Sequence, residues 1–223
     1  ATEACSVALG HGDRVHLRHE IAPRGHAQRV LPWIDALLAE AGLAKSELDA
    51  IAVGRGPGAF TGVRLAVALV QGLALALDRP VLPVSTLATL AQPMVGGLAP
   101  GECVLASIDA RMGEVYLGVF ARDEAGIAQA VVPECVVAPA LANLPAGIVA
   151  AVGTGLSACD GVLAGRLAGG VRHVDPTALP SAADALALAR GLFDAGAAIR
   201  ADALEPAYLR DKVALTLDEQ RAS

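Results

Sequence analysis

Three places in this 223-residue chain hold side chains of the kind that do chemistry. Asp109 and Glu114 flank a turn that contains Arg111. A carboxylate pair is the usual equipment of general acid–base catalysis. The same spacing also describes a solvated hairpin tip in which Asp109 and Arg111 neutralise each other, and that plainer reading is preferred. The segment Gly54-Arg55-Gly56-Pro57-Gly58-Ala59-Phe60-Thr61-Gly62 joins an expected strand to an expected helix. Backbone N–H groups in such a loop can cradle an anion. It is not a P-loop, because no Gly-Lys-Ser/Thr follows. It is not a dinucleotide fingerprint either: Thr61 stands where the third glycine belongs, and no acidic residue closes the next strand. From residues alone, a rigid turn that lets a helix pack closely on a strand is favoured over an anion cradle. His16 and His19 suggest a metal pair by number, but residues three apart on a strand point to opposite faces. His26 sits at a helix start and His173 is isolated, so no metal-ligand set emerges. No Gly-x-Ser-x-Gly elbow occurs, and no cysteine has an evident histidine partner.

The bulk properties narrow the classes further. Hydrophobic residues make up 54% and charged residues 18%, a globular balance. Aromatic residues are 3%, so the core must be built from Ala, Val and Leu. The net charge is −6. A chain that grips nucleic acid unaided normally carries a basic face. The densest basic stretch, Arg14, Arg18, Arg24 and Arg29, is broken by Asp13 and Glu20, which argues against a chain that grips nucleic acid by itself. Cys5, Cys103, Cys135 and Cys159 form no C-x-x-C pair and read as reduced thiols of a cytoplasmic protein. The apolar run Leu65–Leu77 contains Gln71 and Gly72 and is too short to span a bilayer.

The positioning elements follow from periodicity. Cys5–Leu9 and the alternating Val15, Leu17, His19, Ile21 form a hairpin about the turn His11-Gly12-Asp13, with the second strand half-buried on that alternating face. Residues 26–41 have helical spacing, with a kink expected at Pro32 and a stop at Gly42. A strand at 51–53, a helix at about 63–77, a strand at 81–84 and a helix start at 85–92 follow. The Pro- and Gly-rich stretch 94–101 marks a lobe boundary, giving an N-terminal lobe 1–98 and a C-terminal lobe 99–223. Beyond it, strands are expected at 104–108, 114–120, 127–132 and 148–152, the last running into Gly153-Thr154-Gly155, and a helix at 181–195 is capped by Ser181. The helix at 63–77 is apolar nearly all round, and Ala68, Gly72 and Ala76 form a line of small residues. A helix resting on one sheet needs one apolar stripe. Burial inside its own domain would explain the excess; a protein–protein surface is the sharper expectation.

Four stretches together resemble the TsaB (YeaZ) family: residues 1–9, Gly56-Pro57-Gly58-Ala59-Phe60-Thr61-Gly62-Val63-Arg64, Ser107-Ile108-Asp109-Ala110-Arg111-Met112-Gly113-Glu114-Val115-Tyr116, and Glu205-Pro206-Ala207-Tyr208-Leu209-Arg210. The resemblance implies an α/β protein of the actin/Hsp70/sugar-kinase-like (ASKHA) fold, two RNase-H-like lobes with mixed sheets flanked by helices. It implies a non-catalytic accessory subunit in the formation of N6-threonylcarbamoyladenosine at position 37 of tRNAs that read ANN codons. The implied partners are the catalytic relative TsaD as a heterodimer, TsaE within that complex, TsaC as the upstream supplier of threonylcarbamoyl-adenylate, tRNA through the complex only, and a second copy of the chain when alone.

The first two helices are expected to meet TsaD or that second copy, through His26, Arg29, Val30, Trp33, Leu37, Arg64, Ala68, Gln71, Gly72 and Leu75. In the catalytic relative a His-x-x-x-His metal pair follows the strand after the second helix; Thr86 and Leu90 fill those places here, and neither ligates as imidazole does. No catalytic, metal or cofactor site is therefore expected in this chain alone, with ATP or ADP confined to the junction between subunits. A metallopeptidase or a small-metabolite kinase on the same fold is the alternative. The resemblance also implies a strand and an acidic residue ahead of Thr2 that are not in this sequence. A first sheet short of one member, and a less stable first lobe, are the expectation.

Overall fold

The computed structural model describes residues 2–21, 25–167 and 169–210. Ala1 and Arg24, which entered the sequence argument, lie outside the described residues, as does the chain beyond Arg210.

β1 (Ala4–His11) and β2 (Arg14–Ile21) form an antiparallel hairpin whose register closes on His11 and Arg14. Gly12 supplies the positive φ of that tight turn. α1 (His26–Ala41) carries Pro32 inside it and stops at Gly42, whose left-handed backbone at φ 71° donates to Ala39 and Leu38 carbonyls. β3 (Ile51–Gly54) pairs in parallel with β4 (Val81–Val84), and α2 (Phe60–Leu77) makes the crossover between them. α2 begins three residues earlier than periodicity predicts, so Thr61 and Gly62 belong to its first turn and the glycine loop is shorter. α3 (Thr86–Val95) is capped by the Ser85 hydroxyl, which accepts from Leu87 and Ala88 N–H.

The second sheet has five strands in the order β7-β6-β5-β8-β9: β5 (Cys103–Arg111), β6 (Glu114–Arg122), β7 (Ala128–Val137), β8 (Ile148–Val152) and β9 (His173–Asp175). β5 to β7 are an antiparallel meander; β8 and β9 add in parallel. β9 was not anticipated, because three residues carry no periodicity. It takes His173 out of isolation and into a sheet edge. A short helix α4 (Val162–Gly165) and α5 (Ala182–Asp194) complete the chain, α5 opening on Ser181 as expected.

Packing crosses the chain division at residue 98. α3, from the first half, lies on β5, β6 and β7, whereas α5, from the second half, returns to β1, β3 and β4. One core runs through both halves, with Leu87, Leu90, Val104, Ile108, Phe120 and Leu188 in contact within it. Ile199 closes an isolated bridge to Val81, and Leu204 is buried among Val53, Val63 and Val67. Each half thus covers a face of the other's sheet.

Two expectations about the first lobe resolve differently. The β2 face read as half-buried is the open one: Val15, Leu17 and Ile21 are exposed, while His16 and Arg18 are partly covered. The reason is α1, which packs on the other side and pairs Glu40 with Arg18. The expected incomplete sheet appears as two separate strand pairs, β1-β2 and β3-β4, with no pairing between β1 and β3 among the described residues.

Candidate partner-binding site

The all-round apolarity of α2 separates into three stripes. Val63, Val67, Val70 and Ala74 recur at helical spacing and pack on Ile51, Val53 and Val81. Leu65, Leu69, Leu73 and Leu77 lie one residue-step round the helix, half-buried, and line a large trough. The third stripe, Arg64, Ala68, Gly72 and Leu75, is exposed, with Leu75 at 79% of its free surface. A Cβ built on Gly72 meets no atom within 4 Å. An 18-residue helix of this hydropathy that is only 17% buried presents a substantial apolar face outward.

The N-terminal end of that face is held by aromatic contacts. The Arg64 guanidinium stacks over Phe60 at 3.6 Å, and its Nε donates to the Tyr208 hydroxyl at 2.6 Å. Gln71 Nε2 donates to the Leu204 carbonyl at 3.0 Å. Residues 204–210 therefore act as a strap along α2. The glycine loop meets the same strap: Arg55 O accepts from Ala207 N–H at 2.8 Å, and Gly56, at φ 108°, would place a Cβ 3.2 Å from Ala207 O. Gly56 is required for this close approach. The loop's role is the tight packing favoured from the sequence.

The expected interface residues divide. Arg64, Ala68, Gly72 and Leu75 share the exposed stripe of α2, and Trp33 is partly exposed on α1. Leu37 does not belong with them: at 1% exposure it packs with Leu9 and Leu38, because α1 turns that face onto β1. Gln71 is occupied by the strap. Arg29 pairs with Glu20 and donates to Gly25 O, tying α1 to β2. His26 and Val30 line the trough instead of the outer surface.

The positions that resemble chemical sites are filled by the protein itself. Asp109 accepts from the Arg111 N–H at 2.8 Å and pairs with its guanidinium at 2.8 Å, the local hairpin contact anticipated. Arg210 reaches back to this turn, donating to Ala110 O and Glu114 Oε2 at 3.1 and 2.6 Å. Arg111 and Met112 adopt φ 63° and 56°. At the other glycine turn, a Cβ on Gly153 or Gly155 would fall 2.2 Å from Ser107 O or 2.0 Å from Ser107 Oγ. These glycines serve close packing on β5. Thr86 and Leu90, at the positions of the relative's metal pair, are both buried within the core side of α3.

Sequence reasoning missed Glu134. β7 carries it across to the first half of the chain, where its carboxylate accepts from the Ser85 hydroxyl that caps α3. Burial pushes its pKa up, offset in part by the Ser85 bond and by the Arg55 charge. An acidic residue in a strand of alternating exposure gives no signal of a partner 49 residues away.

Residues 18–156 match the family described as TsaD, tRNA N6-adenosine threonylcarbamoyltransferase. The class defined by fold and site is thus that of the threonylcarbamoyladenosine proteins. Within it the chain belongs to the TsaB family. It is 41% identical to the Escherichia coli tRNA threonylcarbamoyladenosine biosynthesis protein TsaB over 220 residues, 96% of this chain and 93% of that one. The Haemophilus influenzae TsaB is 40% identical across 96% of this chain and 92% of its own length. The solved structure of YeaZ from Pseudomonas aeruginosa superposes with a TM-score of 0.84 at 45% identity, covering 93% of this chain and 95% of that one. The α/β architecture of mixed sheets flanked by helices and the accessory role in threonylcarbamoyladenosine biosynthesis expected from the sequence are those of the family.

Proposed function

We propose that this chain is a non-catalytic docking subunit for tRNA threonylcarbamoylation, pairing through the outer stripe of α2 with a TsaD-type catalytic subunit, or with a second copy when that subunit is absent. The observation that carries this reading is the exposed apolar stripe Ala68–Gly72–Leu75 on a helix whose other two stripes face the β3–β4 pair and the trough. The line of small residues lets a partner helix approach closely. The acidic net charge leaves the grip on tRNA to the complex. The filled glycine turns support a chain that holds no nucleotide by itself, with ATP or ADP confined to the subunit junction, a TsaE-type ATPase joining the pair and a TsaC-type enzyme supplying the adenylate. The cytoplasm is the compartment that fits this work.

The test is copurification. Gly72 has open space around it, so Gly72→Glu leaves the monomer folded. A charge buried without a partner in an interface costs about 2–5 kcal/mol, or about 30- to 4,000-fold in Kd. Loss of the TsaD-type partner by a folded Gly72→Glu chain is expected. Full-yield copurification would place the interface elsewhere.

A further inference from the structure

Away from the trough, most of the outward-facing sheet edges are blunted. β4 is covered by the bridge from Val81 to Ile199. β7 carries Pro133 and pairs with β6 through two register shifts. β9 has three residues. Proline, irregular pairing and a short strand are the usual devices that keep an edge from pairing with another chain. The edge of β2 away from β1 has none of them. β2 is eight residues long, contains no proline and keeps one register with β1 throughout. No other strand pairs with it among the described residues.

The hairpin register decides which backbone groups that edge offers. The turn Gly12-Asp13 has two residues, so the flanking His11 and Arg14 bond each other through the backbone. Along an antiparallel pair such residues alternate with ones whose N–H and C=O point away. Arg14, His16, Arg18 and Glu20 are therefore spent on β1, and Val15, Leu17, His19 and Ile21 turn theirs outward. The side chains of these four residues also share one face. Val15 is 47%, Leu17 38% and Ile21 65% exposed. An open ladder thus coincides with an exposed apolar row. Two charges on the opposite face are paired within the chain, Arg18 with Glu40 and Glu20 with Arg29.

We propose that the outer edge of β2 is a contact between two copies of this chain, in which β2 of the second copy adds antiparallel across a two-fold axis. The occupant follows from self-complementarity. With Arg18 on the axis, all four outward-turned residues pair with one another: Val15 opposite Ile21, and Leu17 opposite His19, each twice. That makes about eight inter-strand backbone bonds. A register with Leu17 on the axis sets Ile21 opposite Asp13, outside the strand, and keeps about six. In the first register Val15 meets Ile21 of the second copy on the apolar face. On the other face His16 meets the Glu20 carboxylate of the second copy, a complementary pair. Arg18 meets its own image, and Glu40 beside each guanidinium offsets the like charge. This contact shares no residue with the outer stripe of α2.

The test uses the full chain carrying Gly72→Glu, so that the α2 stripe does not contribute to self-association. Sedimentation at rising concentration is expected to show a dimer. Amide exchange, read residue by residue, should slow with concentration at Val15, Leu17, His19 and Ile21, while His16 and Arg18 stay protected by β1 at every concentration. His19→Pro, added to that chain, removes one outward N–H per copy where an edge strand tolerates proline, and should weaken the dimer at least about tenfold. His19→Val keeps that N–H and should leave the dimer unchanged. Outward amides whose exchange ignores concentration, or equal weakening by His19→Pro and His19→Val, would overturn the proposal. A monomer at every concentration would overturn it too, and would leave the α2 docking stripe standing. The exchange pattern is read without any substitution in β2, so it decides the matter even where His19→Pro does not fold.

Discussion

Leu37 and Leu75 stand in the same expected interface, yet the structure gives them opposite work. Leu37 is 1% exposed and touches the β1 hairpin; Leu75 is 79% exposed. Truncating a fully buried leucine removes its transfer free energy and leaves a cavity, about 2–5 kcal/mol in all. That is a large part of the roughly 5–15 kcal/mol that holds a typical domain folded. Leu75→Ala removes atoms already in water, so its effect on unfolding should stay within about 0.5 kcal/mol. In the proposed complex the order should reverse. Losing three buried carbons at about 0.8 kcal/mol each from an interface costs about 2 kcal/mol, or about 30-fold in Kd. Urea unfolding of the two variants, followed by calorimetric titration with the TsaD-type subunit, reads both numbers. Leu37→Ala should lower the unfolding midpoint and, where still folded, bind normally; Leu75→Ala should do the converse. Equal destabilisation by both variants, or unchanged binding by Leu75→Ala, would refute the assignment of stripes.

Glu134 gives a pH signature. Its folded pKa is raised by burial above its unfolded value, so its contribution to stability is present below the ordinary carboxylate range and is lost as pH rises through the raised value. Glu134→Gln should therefore be more stable than the parent at neutral pH, and the gain should vanish at acidic pH; a gain that does not change with pH in parallel denaturation series would contradict the burial argument. At the glycine loop, Gly56→Ala imposes a side chain at φ 108° and 3.2 Å from a carbonyl. A loss of about 1–3 kcal/mol is expected, measured by the same unfolding assay, and an unchanged midpoint would show that the loop relaxes freely.

The sequence made most elements legible because their signals are local. α1 and its Gly42 stop, β4, β8 and the Ser181 cap follow from spacing and capping chemistry within a few residues. What depended on distant partners was not legible. The covered face of β2 is decided by α1, and the inward turn of Leu37 by the hairpin it packs on. The leucines of α2 divide between two faces, Leu65, Leu69 and Leu73 lining the trough while Gly72 and Leu75 face outward, a division that helical periodicity alone cannot assign. Glu134 and the Arg210 clasp on the β5–β6 turn join residues 49 and 96 apart in the chain to their partners, beyond any motif window.

The most direct test is reconstitution of tRNA threonylcarbamoylation with the remaining components held fixed, adding nothing, the wild-type chain or Gly72→Glu. Modification should depend on the wild-type chain, fail with Gly72→Glu despite its folded state, and be absent with this chain as the sole protein. Full activity with Gly72→Glu, or turnover by the chain unaccompanied, would contradict the account.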